Sequence, residues 1–289
     1  MATYVVGSET NRTNVELVRQ WAARGLAVSL VPGGDAERVL DRGDLAVGRL
    51  DVTPTLDGVE PGLLSLLLLE RRGVGVLNGA AALLRTHDKL RTARCLARAG
   101  VPHPRTAGLR AGDPLPRLRG PLVLKPRFGS WGRDVLLCRD RTELEHDLAV
   151  VCERPWFRRH GALVQELVPP RGYDLRLVVA GGEVVAGGER VAAPGDWRTN
   201  ISRGGTLRPA AVPADAAALA VAAAAAVGAD LVGVDLLPVD GGGYVVLELN
   251  GAVDFDERYA LAGEDPYALA ARALGLTSPR HRARAAERR

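Results

Sequence analysis

Over the first eighty residues, short apolar runs alternate with stretches of helical spacing: "TYVV", then "NVELVRQWAARG", "AVSLV", "DLAVG", and "LLSLLLLERRG" leading into "VGVLN". Strand-sized runs separated by helical patterns predict a small parallel α/β lobe. Its first strand ends at Gly7 and Ser8, where open α/β sheets often put ligand-binding loops and where a plain strand-to-helix turn would read the same.

The pattern then changes. "RTHDKLRTARCLARAG" reads as a helix capped by Thr86 or Asp88 and closed by Gly100, followed by the extended "VPHPRT". "LVLKPRFGSWGRDV", residues 122–135, is a strand running into a glycine-bearing turn; a helix "DRTELEHDLAVVCE" and a strand "ALVQELV" follow. From Gly172 the strands lengthen. "YDLRLVVAGGEVVAGGERVA" predicts an antiparallel hairpin turning at Gly181 and Gly182, and "LVGVDLLPVDGGGYVVLELNG" a second one turning at Asp240 to Gly243. Between them lie the polar loop "APGDWRTNISRGGT" and an alanine-rich helix with Pro213 at its start and Gly228 at its end.

Composition narrows the class. With 289 residues, 47% hydrophobic and 25% charged, the chain is long enough for two or three compact lobes. The net charge of +4 and pI near 9.2 owe much to the last stretch, "SPRHRARAAERR", read as a solvated basic tail over 278–289. Without aromatic residues among its arginines, nucleic-acid binding is disfavoured. Cys95, Cys138 and Cys152 stand far apart, which indicates neither a disulfide framework nor a zinc site and suits a reduced cytoplasm. No apolar run approaches a membrane span and the N-terminus lacks signal-peptide character, so a soluble protein is expected and the sequons at Asn11 and Asn200 are read as chance.

Three residues carry the strongest chemical signal. Asp235 lies on one strand of the second hairpin and Glu248 and Asn250, two apart on one face, on the other. Two carboxylates and an amide on an otherwise apolar hairpin are costly to bury unless a cation neutralises them, and hard oxygen ligands suit magnesium carrying a nucleotide phosphate; an exposed polar face is the alternative. Lys125, followed by "FGSWG", is a candidate phosphate cradle, though it matches neither a Walker sequence nor GxGxxG and a surface turn would look similar.

Six segments in order, "HDKLRTARCLARAGVPHPRT", "LVLKPRFGSWGRDV", "VQELVPPRGYDLRLVV", "GERVAAPGDWRTNISRGG", "VGVDLLP" and "LELNGAVDF", resemble the ATP-grasp carboxylate-amine ligases of RimK and LysX type over residues 87 to 255. The resemblance implies an α/β (α+β) fold with a small parallel N-terminal lobe over 1–85, a central subdomain over 86–168 and a C-terminal subdomain over 169–277, the last two clasping ATP. It implies that Lys89 and Lys125 contact the phosphates and the adenine edge beneath a flap of Gly129, Ser130, Trp131 and Gly132. Gln165, Glu166, Leu167 and Val168 would form the hinge reading adenine, with Leu247 its apolar floor and Asp174 the ribose-binding acid. Arg198, Thr199 and Asn200 would reach the terminal phosphates. Asp235, Glu248 and Asn250 would hold magnesium, as two ions, with manganese a substitute. Arg176, Arg190 and Arg203 would stabilise the transferred phosphoryl group, with Arg203 also near the substrate. "NGAVDF" departs from the glutamate-adding pattern toward the LysX type and suggests Asp254 as a recogniser of the amine or its carrier.

The implied reaction joins an amino acid or amine to a carboxylate on a peptide, carrier protein or small metabolite through an acylphosphate, in a cytoplasmic homo-oligomer (dimer or tetramer). A nucleotide-binding protein without ligase activity and a kinase that stops at the acylphosphate are the alternatives.

Overall fold

The computed structural model describes residues 2–277, so the tail read at 278–289 lies outside the described residues. The N-terminal segment forms β1 (Thr3–Gly7), α1 (Arg12–Ala23), β2 (Val28–Val31), α2 (Ala36–Val39), β3 (Leu45–Arg49), α3 (Leu63–Arg71) and β4 (Gly75–Leu77). Its four strands are parallel in the order β2-β1-β3-β4. Asn11 caps α1 by accepting from the Asn14 amide, and Leu17 and Trp21, one turn apart, bury its inner face.

Helices α4 (Ala80–His87) and α5 (Lys89–Arg98) follow, broken at Asp88. Of the two caps the sequence offered, Asp88 is the one used: its carboxylate accepts from the Leu90 amide, whereas Thr86 belongs to the last turn of α4. The break sets Lys89 at the first position of a new helix.

Next come β5 (Thr106–Leu109), β6 (Leu122–Pro126), β7 (Leu136–Cys138), α6 (Arg141–Val151), α7 (Pro155–His160) and β8 (Ala162–Glu166), an antiparallel sheet in the order β5-β8-β6-β7. The third sheet contains β9 (Tyr173–Ala180), β10 (Glu183–Val191), β11 (Thr206–Arg208), β12 (Leu231–Pro238) and β13 (Tyr244–Asn250) in the order β11-β10-β9-β12-β13. Helix α8 (Ala214–Val227) precedes β12 and α9 (Pro266–Ala273) closes the described chain.

Period-two alternation lets this third sheet bury both faces. Leu175, Leu177, Val179, Val232 and Val234 pack under α8, whose Ala216, Ala220, Ala223 and Ala224 allow close approach, together with Leu96 of α5. Val178, Ala180 and Leu231, on the other face, share a core with Trp21 of α1 and Tyr267 of α9. The parallel lobe is thus welded to the C-terminal sheet. Trp21 Nε1 donates to the Tyr267 carbonyl at 3.0 Å, and buried Asn78 donates to the Leu231 carbonyl at 2.6 Å while accepting from the Asp230 and Leu231 amides.

The parallel lobe reaches the central sheet differently, through the loop 51–60 that leaves β3. Val52 and Val59 bridge its base, and Leu56 at its tip is buried among Leu109, Leu122, Trp156 and Phe157 of the central core. Leu56 has φ +60°, a left-handed conformation that costs a non-glycine residue about 1–2 kcal/mol. Burying a leucine side chain returns about 1.5–3 kcal/mol.

Candidate active site

The central and C-terminal sheets face each other across a cleft of about 1000 Å³, open to solvent. On the central side, Lys125 of β6 is buried, and its Nζ donates to the neutral amide oxygen of Gln165 at 2.8 Å. Burial lowers its pKa to about 8, against the pull of Glu248. Lys89 Nζ donates to the Gly129 carbonyl at 2.6 Å and lies 3.4 Å from Glu248 of the opposite sheet. Asp88 anchors this corner, holding Arg127 in a two-pronged ion pair.

On the C-terminal side, Asp235 and Glu248 are directly opposed in the β12–β13 register, beside a β-bulge, and the Asn250 amide is 3.5 Å from Asp235 Oδ2. The register sets Asp235 and Glu248 side by side at the cleft, and Asn250 reaches Asp235 from two positions along β13. Asp235 is not free, however: Arg176 grips it with both Nε and Nη2, and Arg190 Nη2 approaches to 2.9 Å. Burial would raise the Asp235 carboxyl, but these two guanidiniums outweigh it and hold the group well below the usual carboxylate range.

The segment between β6 and β7 folds over the cleft. Trp131, Gly132 and Asp134 all take positive φ, and a Cβ on Gly132 would stand 2.7 Å from Asn200 Oδ1, so glycine is required there. Two contacts close this turn onto the loop 196–203: Ser202 Oγ donates to the Trp131 carbonyl at 3.1 Å and Arg198 Nη1 to the Val135 carbonyl at 3.3 Å. Ser130 and Gly129 line the cleft, and Trp131 is 38% exposed.

Most of the sequence-predicted residues line this one cleft: Lys89, Lys125, the turn 129–132, Gln165 to Val168, Asp174, Arg190, Arg198 to Asn200, Asp235, Leu247 and Glu248. Several expected roles need correction. Asp174, expected to bind ribose, is 1% exposed and its oxygens already accept from Arg190 and, at 2.7 Å, from Thr199 Oγ1. Arg176, Arg203 and Asn250 do not line the cleft. Arg176 is committed to Asp235, and Arg203 Nε to Asp196 at 2.9 Å. Arg198 also binds Asp196, and its hydrogen bond, followed by that of Arg203, holds the Asp196 carboxyl well below its ordinary range. In the segment 165–168, the amides of Glu166 and Leu167 donate to the carbonyls of Arg105 and Pro121, and the Glu166 side chain turns to Arg105 and the Arg119 amide.

Asp254 lies apart from the cleft lining, exposed, and accepts from Thr13 Oγ1 of α1 at 2.7 Å. Sequence reasoning missed Val123, Tyr173, Trp197 and Leu237, which add apolar wall, and Asp196 as organiser of Arg198 and Arg203. The acid two places before Arg198 in "DWR" was the available signal.

The donor set suits a magnesium nucleotide. A buried lysine bonded to a neutral amide can take a phosphate oxygen without displacing a carboxylate. The facing carboxylates and amide are hard oxygen donors of the kind magnesium takes.

Residues 86–263 match the family model described as the RimK-like ATP-grasp domain. A "probable alpha-L-glutamate ligase" of Serratia proteamaculans is 34% identical over 234 residues, 79% of this chain and 75% of that protein. Another of that name from Pseudomonas aeruginosa is 36% identical over 151 residues, 50% of this chain, and the match spans about half, 49%, of that relative. Among solved structures, the RimK domain ATP-grasp protein of Sphaerobacter thermophilus superposes with TM-score 0.65 at 24% identity over 94% of this chain and 99% of that one. D-alanine–D-alanine ligase of Bacillus anthracis complexed with ATP gives 0.69 at 18% over 98% and 99%. The likeness to the solved structures carries the ATP-grasp fold alone; the match over 86–263 and the Serratia relative carry the family. The chain belongs to the RimK-like ATP-grasp family.

Proposed function

We propose that the protein is an ATP- and magnesium-dependent ligase that activates a carboxylate as an acylphosphate and joins it to an amine, releasing ADP and phosphate. The observation that carries this reading is the meeting, across one cleft, of Lys89 and Lys125 with Glu248 and Asp235. Phosphoryl transfer needs charge neutralisation and positioning rather than a protein nucleophile, and this cleft supplies both.

Lys125 and Lys89 receive phosphate oxygens, and Leu247 and Val123 flank the base, which the backbone of 165–168 reads. Asp235, Glu248 and Asn250 hold magnesium, two ions in the fullest form of the proposal, with manganese able to replace it; the metal, when bound, neutralises charge on the transferring phosphate. Arg190, at the cleft wall, stays on Asp235 and Asp174 and sets their orientation, while Arg198, Thr199 and Asn200 meet the terminal phosphates from the facing loop. The turn 129–135 keeps water from the acylphosphate. Arg203 and Arg176 act through Asp196 and Asp235 in this scheme, as positioning residues.

The amine is an amino acid or a similar small amine and the carboxylate belongs to a peptide, carrier protein or metabolite. The relatives' names support the amino acid, and the PsnB ligase solved with its minimal precursor, with TM-score 0.70 to this chain at 20% identity, supports the peptide. Asp254, exposed where the metal loop meets α1, recognises the amine or its carrier. The protein works in the cytoplasm as a homo-oligomer. A pooled amino-acid and peptide screen with Mg·ATP, read by mass spectrometry, tests the proposal: ADP should form only when both partners are present, with an amide product. Hydroxylamine trapping without any amine, and no amide in its presence, would instead mark a kinase.

A further inference from the structure

The loop 51–60 touches both ends of the turn that covers the cleft. Its tip is fixed in the central core by Leu56, in a backbone conformation that leucine rarely adopts. Asp57 then makes two bonds to the end of α7: its carboxylate takes Arg159 Nη1 at 3.1 Å, and its carbonyl accepts from His160 Nε2 at 2.7 Å. His160 packs its ring on Phe128, with centroids 4.8 Å apart, and its own carbonyl accepts from Arg127 at 3.2 Å. Phe128 and Arg127 are the residues that enter the covering turn. At the other end, Arg133 Nη1 reaches the Pro54 carbonyl at 3.5 Å. The loop itself leaves the carboxyl end of β3, the edge where open parallel sheets take ligands.

We propose that the Asp51–Glu60 loop is a strap through which the parallel lobe sets the position of the flap at 129–135, with Leu56 as its anchor and His160 as the positioning residue that carries it to the flap hinge. No residue of the 51–60 loop lines the cleft, nor does His160, so the strap acts on the reaction only by orienting the flap. It couples the state of the β3 edge to closure over the nucleotide. The proposal rests on the reading of 129–135 as a nucleotide flap.

Hydrogen–deuterium exchange on the full chain, with and without Mg·ATP, tests it. In the unaltered protein, Mg·ATP should slow exchange in 129–135 and also in 51–60, which touches no nucleotide. Leu56→Gly keeps the left-handed backbone and removes the anchor; His160→Phe keeps a ring on Phe128 and removes the donor. Each should abolish the nucleotide response of 51–60 and speed flap exchange at least tenfold in the bound state, while β9 and β12 stay protected. Leu56→Met should restore the unaltered pattern. Should Leu56→Gly fail to fold, His160→Phe alone decides. Flap protection by Mg·ATP that is equal in the unaltered and altered chains overturns the strap. No protection of 129–135 in the unaltered chain overturns the flap reading and the strap with it.

Discussion

Arg176 and Asp235 are cross-strand neighbours on β9 and β12, and the guanidinium meets the carboxylate in a fork, Nε to Oδ1 at 2.7 Å and Nη2 to Oδ2 at 2.8 Å. Arg190 completes the lattice from β10 by bridging Asp235 and Asp174. The candidate metal carboxylate is therefore also a structural keystone, unlike Glu248, whose side chain is 19% exposed. Asp235→Asn should cost stability of about 3–5 kcal/mol, because it strips charge from a buried pair, leaving Arg176 without its carboxylate and Arg190 with Asp174 alone. Glu248→Gln should change stability by no more than about 1 kcal/mol yet abolish magnesium-dependent nucleotide binding. Urea unfolding beside calorimetric titration with Mg·ATP separates the two.

Lys125 should behave oppositely to Asp235. Its buried ammonium has a neutral amide as hydrogen-bond partner, so Lys125→Met removes a desolvated charge without stranding a carboxylate. Folding stability should stay within about 1 kcal/mol while nucleotide affinity falls at least tenfold, about 1.4 kcal/mol. A matched pair of thermal melts, without and with Mg·ATP, should show a smaller ligand-induced rise in melting temperature in the variant.

His87 gives the account a pH signature. It is 4% exposed against Gly251, and burial, with Lys89 and Arg49 nearby, lowers its pKa from 6.5 to about 3. Because the folded value is depressed, its contribution is complete above pH 6.5 and is lost as pH falls from 6.5 toward 3, when the unfolded chain takes the proton first. Stability should fall by about 1.4 kcal/mol per pH unit across that window from this residue. His87→Gln should flatten the slope in denaturant titrations between pH 6.5 and 4.

Asn78 joins the parallel lobe to β12 with donors and acceptor all engaged. Asn78→Ala leaves the buried Leu231 amide and the half-buried Asp230 amide without their acceptor and should destabilise the chain by about 2–4 kcal/mol. The denaturation midpoint should drop for both the N-terminal and C-terminal sheets together, since one core spans them.

Where periodicity reports on one element at a time, the sequence was readable. Alternating runs disclosed the parallel lobe, the two hairpins and the meeting of Asp235 with Glu248, because a short glycine turn leaves two facing strands little freedom of register. The arginine lattice was not readable. Arg176 and Asp235 are 59 residues apart, and only the β9–β12 register makes them neighbours. For the same reason, Asp174 looked available for ribose until the β9–β10 pairing set Arg190 against it. Leu56 carried no signal at all: a lone apolar residue in "TPTLDG" reads as a surface turn, and its burial depends on a different lobe.

The most direct measurement of the central claim follows oxygen. With carboxylate substrates labelled by ¹⁸O, drawn from the pooled screen, turnover with Mg·ATP should move one label into the phosphate released with ADP, as attack of the carboxylate on the γ-phosphorus requires. Label recovered in AMP, or phosphate released without label, would contradict an acylphosphate formed in this cleft.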